Sequence, residues 1–61
     1  MNAEVLADVL NRISPKNYYR IREVMEMADY SYWYREGKTL IVVMADGANV
    51  ICRNNQWTVQ R

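Results

Sequence analysis

The chain has 61 residues, 51% of them hydrophobic and 25% charged, with a net charge of +1. A single domain of that size, residues 1–61, stands near the lower limit for unaided folding, its composition excludes a disordered chain, and its small charge excludes whole-molecule attraction to nucleic acid. One cysteine, Cys52, and no histidine leave neither an internal disulfide nor a zinc site, so no metal and no cofactor is expected.

The first predicted element is a helix over about residues 3–13. Val5, Leu6, Val9, Leu10 and Ile13 recur at helical spacing, Glu4, Asp8, Asn11 and Arg12 fall off that stripe, and Asn2 can cap it. Ser14-Pro15 reads as the start of a second helix over about 15–28, with Ser14 as cap and Tyr18, Ile21, Val24, Met25 and Ala28 as its apolar face. After Asp29 the period changes to two. Glu36-Gly37, Asp46-Gly47 and Asn54-Asn55 punctuate strands at about 30–35, 38–45, 48–53 and 56–60. The expected fold class is α+β: two N-terminal helices on one face of a three- to four-stranded antiparallel meander, ααββββ.

Turn lengths set which residues share a sheet face. A three-residue loop at Arg35-Glu36-Gly37, with two-residue turns at Asp46-Gly47 and Asn54-Asn55, turns Trp33, Ile41, Val43, Val50, Cys52, Trp57 and Val59 toward the helices. The opposite face then collects Tyr30, Tyr32, Tyr34, Lys38, Leu40, Val42, Met44, Ile51 and Arg53, an apolar strip with tyrosines on one side and polar residues on the other. With both helices used on the core face, nothing in the chain is left to cover this strip. Open apolar strips of this kind mark interaction sites. Five tyrosines against no phenylalanine suit an interface, where a ring needs both an apolar body and a polar tip.

These residues predict a small non-catalytic binding module, a regulator or inhibitor whose partner is another protein or a second copy of itself in a homodimer. Tyr32, Leu40, Val42 and Ile51 form the expected centre, with Lys38 and Arg53 at the rim. The alternative partner is single-stranded nucleic acid, stacked on the same rings. Residues 31–61 are modestly basic, with four basic and two acidic side chains, but no RNA-binding motif stands out. Arg12, Lys16 and Arg20 could touch phosphate at the helix corner, although one Ser is too short for a helix-turn-helix connection. Catalysis has no histidine, no phosphate loop and no nucleophile beside a base to build on, so no enzyme activity is expected. Cys52 falls on the inward face, where a thiol behaves as a small hydrophobe. No apolar run approaches the roughly 18 residues of a membrane span and Met1-Asn2-Ala3-Glu4 does not resemble a signal peptide, so the expected location is the cytoplasm, without a membrane partner.

Overall fold

The computed structural model describes residues Met1–Arg61 as α1 (Ala3–Asn11), α2 (Tyr18–Met27) and four strands, β1 (Tyr30–Glu36), β2 (Thr39–Met44), β3 (Asn49–Arg53) and β4 (Gln56–Gln60). The strands form one antiparallel sheet in the order β1-β2-β3-β4. The architecture is the expected ααββββ, with two helices against a four-stranded meander.

Asn2 caps α1, its Oδ1 accepting from the Val5 amide at 2.8 Å. The buried face of α1 is Ala3, Leu6, Ala7 and Leu10, one position around from the anticipated stripe. Val5 is exposed and Val9 only half-buried, because the two alanines let the helix lie close to β3 and β4 and the larger valines do not. The second helix starts later than anticipated. Ser14-Pro15-Lys16 is spent on a turn in which the Asn17 amide donates to the Ser14 carbonyl at 2.9 Å. Asn17 is the cap, its Oδ1 accepting from Arg20 at 3.1 Å. α2 packs on α1 and buries only Val24 fully, with Ile21 and Met25 half-buried against the core, while Tyr18 stands in solvent.

Turn chemistry fixes the register. In the first hairpin Glu36 pairs with Thr39, so Gly37-Lys38 is a two-residue turn. Gly37 has φ +62° and Lys38 does not share a positive φ, as a type II′ turn requires. In the second, Val43 pairs with Asn49 and the Gly47 amide donates to the Met44 carbonyl at 2.9 Å. Ala45-Asp46-Gly47 is therefore a three-residue loop, with Gly47 at φ +92° and the Asp46 carboxylate accepting from the Ala48 amide at 3.0 Å. Asn54 and Asn55, at φ 54° and 62°, make the anticipated two-residue turn of the third hairpin. The first two loops are thus each one residue different in length from the sequence expectation, in opposite directions. Every side chain of β2 is turned over, while β1 and β3 keep their relation to each other.

The core consequently takes Val42, Met44, Val50 and Trp57 from the sheet, with Leu40, Cys52 and Val59 half-buried against it. Ile41 and Val43, expected inside, lie on the other face. An irregularity in β1 between Tyr30 and Tyr32 changes the parity once more, so Tyr30 pairs with Met44 and packs against the core.

Candidate functional site

The sheet face turned away from the helices carries Tyr32 and Tyr34 from β1, Ile41 and Val43 from β2, and Ile51 and Arg53 from β3. Cross-strand pairing sets them in rows: Tyr34 beside Ile41 beside Ile51, and Tyr32 beside Val43 beside Asn49. The Tyr32 and Tyr34 rings stack with centroids 6.1 Å apart and planes 24° from parallel. Tyr32 is 57% exposed and Tyr34 42%, whereas Ile41 is only 7% exposed although no helix lies over it. Side-chain neighbours within the sheet shield Ile41. The tyrosines themselves have no cover.

Of the residues assigned from sequence to a partner-binding face, the structure keeps Tyr32, Tyr34, Ile51 and Arg53 together and puts Lys38 in the adjoining turn. It removes four. Val42 and Met44 are core residues, Leu40 is half-buried on the helical side and Tyr30 packs against the core. The reasons are the turned-over β2 and the irregular start of β1. Ile41 and Val43 take their places, so the strip remains apolar with different members. Their signal lay in Gly37, which fits the first position of a two-residue II′ turn as well as the last position of a three-residue loop. Trp33 has the inward parity anticipated for it, paired with Val42, yet is 54% exposed because no helix covers that part of β1.

Charges surround this face without crossing it. Arg53 and Lys38 are exposed and form no ion pair, and Glu36 lies at the β1 end of the same face. Cys52 points to the helical side, where burial pushes its thiol up. No three His, Cys, Asp or Glu side chains come together. No helix is long and apolar enough to cross a membrane. The chain matches no family model, no curated protein and no solved structure.

Proposed function

We propose that the protein is a small non-catalytic binding module of the cytoplasm, a regulator or inhibitor in kind, whose open sheet face engages a protein partner. That partner is in the first instance a second copy of the same chain. The observation that carries this reading is the stacked, half-exposed Tyr32–Tyr34 pair beside Ile41, Val43 and Ile51 on a face that no helix covers. Rings of this kind give rigid apolar area with a polar tip and lose little conformational freedom when an interface closes on them.

One quantity favours a second copy. Only 11 of 61 residues are buried, which is little core for a domain without a disulfide or a metal, and burial of apolar area adds about 25 cal/mol per Å². The stacking of Tyr32 on Tyr34 weighs against the nucleic-acid alternative, since it uses one ring face of each that bases would need.

The test is solution mass by light scattering across a dilution series. The wild-type chain should be a dimer and Val43→Asp a monomer with an unchanged helical and strand spectrum, while Lys38→Ala and Arg53→Ala change the mass little. Val43 is the residue to alter because Val42→Asp would put a charge in the core. A wild-type monomer at every concentration refutes self-association. Binding to single-stranded oligonucleotides that falls steeply with salt and with Arg53→Ala would replace this reading with the nucleic-acid one.

A further inference from the structure

On the helical side, where α2 falls short of the sheet, a groove of about 500 Å³ opens between the α1–α2 connection and the end of the sheet that carries the first and third hairpin turns. That volume is within the range of sites that seat a ligand. Its apolar surface comes from Leu40, Cys52 and Trp57 on the sheet, from Ile21 on α2 and from Ile13 in the connection, and its polar wall from the exposed Asn54 and Asn55. Trp33, half-exposed, is the next residue along the same face of β1 beyond Arg35.

The charges at this groove are of one sign. Four of the eight cations, Arg12, Arg20, Arg22 and Arg61, are held in ion pairs. The other four, Lys16, Arg35, Lys38 and Arg53, have no partner, and all belong to this end of the molecule. Arg35 and Lys38 line the groove and Lys16 follows Pro15 of its wall, while Arg53 lies on the opposite face of β3. No carboxylate is among the lining residues, and Glu36 belongs to the opposite face of β1. An apolar floor beneath unpaired cations is complementary to an apolar group flanked by carboxylates. The cations come from three separate segments, the helix connection, β1 and the first turn, which suits several carboxylates spread along a chain better than one compact head group. The asparagine amides offer both donors and acceptors to a peptide backbone.

We propose that this groove binds an acidic peptide segment of a partner protein, seating a large apolar side chain on Leu40 and Trp57 and its carboxylates against Arg35 and Lys38. This site is on the other side of the sheet from Tyr32 and Tyr34 and does not depend on what engages them.

Cys52 supplies the readout, as the single thiol of the chain and part of the groove floor. Its modification by an aromatic disulfide reagent at mildly alkaline pH is followed in the presence of the hexapeptide Glu-Asp-Phe-Leu-Asp-Glu, its counterpart Lys-Lys-Phe-Leu-Lys-Lys, decanoate or oligothymidylate. In parallel, Trp57 fluorescence is titrated in a Trp33→Phe variant. The acidic peptide should slow modification saturably and shift the fluorescence, the basic one should do neither, and Arg35→Glu or Lys38→Glu should weaken the effect about tenfold or more. Val43→Asp should leave it unchanged, which separates this site from the open face. No protection by the acidic peptide, equal protection by the basic one, or protection by decanoate or oligothymidylate in its place would overturn the proposal.

Discussion

The carboxamide of Asn11 takes both backbone hydrogen-bonding groups of Trp57, its Nδ2 donating to the carbonyl and its Oδ1 accepting from the amide, each at 2.8 Å and 46 residues apart in sequence. Trp57 pairs with Cys52 next to the tight turn, so these two groups face away from β3. One side chain thus fastens the end of α1 to β4. Asn11→Ala should lower stability by about 2 kcal/mol, read from urea midpoints, because a partly buried donor and acceptor lose their partner together. Nothing in the amphipathic pattern marked Asn11, which falls among the polar residues of its helix. A long-range amide clasp has no local period. Backbone conformation is the other determinant at this scale. Asn55 sits at φ 62°, so Asn55→Ala should cost about 1 kcal/mol while Asn55→Gly is tolerated.

Among the elements, β2 shows what could and could not be read in advance. Helices, strand number and strand order follow from the change of period after Asp29 and from the turn residues, and all appear in the structure. The orientation of β2 does not follow. Leu40, Val42 and Met44 alternate with Ile41 and Val43, so either face is apolar and neither orientation leaves a polar side chain in the core. Only loop length could decide, and each of the first two loops differs by one residue from the expected length. Tyr32, Tyr34 and Ile51 stayed together because the two differences cancel between β1 and β3. The candidate face was therefore legible in its outer strands and illegible in the strand between them. The same reasoning separates two neighbours by experiment. Val42 is fully buried and Val43 is not, so Val42→Asp should unfold the domain, whereas Val43→Asp should leave it folded with a melting temperature lowered only by the loss of the second copy. The helices divide in the same way. Leu6 and Leu10 are buried to 1% or less and each should cost about 2–5 kcal/mol when replaced by alanine, whereas Met27→Ala at the exposed end of α2 should cost little.

At the level of the whole molecule, Arg61 joins parts that are distant in sequence. Its guanidinium reaches Glu4 of α1 at 2.7 and 3.1 Å and Asp46 of the second loop at 3.5 Å. Hydrogen bonds from Arg61 hold the Glu4 carboxyl below the usual carboxylate range, and the Ala48 amide, with Arg61, does the same for Asp46. Both folded values lie below the unfolded ones. Their contribution is therefore complete above the ordinary carboxylate range and is lost as pH falls through the depressed values. The urea midpoint should be flat from neutrality to about pH 5 and decline below it, and Arg61→Ala should flatten that decline.

Sheets lengthen sideways by recruiting strands at whichever border still shows free rungs. The carboxamide of Asn11 occupies the outward-facing rung of β4 at Trp57, which blocks a strand arriving at that border. Removing the block should permit open-ended growth. Incubated at high concentration, Asn11→Ala should form thioflavin-positive, sedimentable fibrils that the unaltered chain does not.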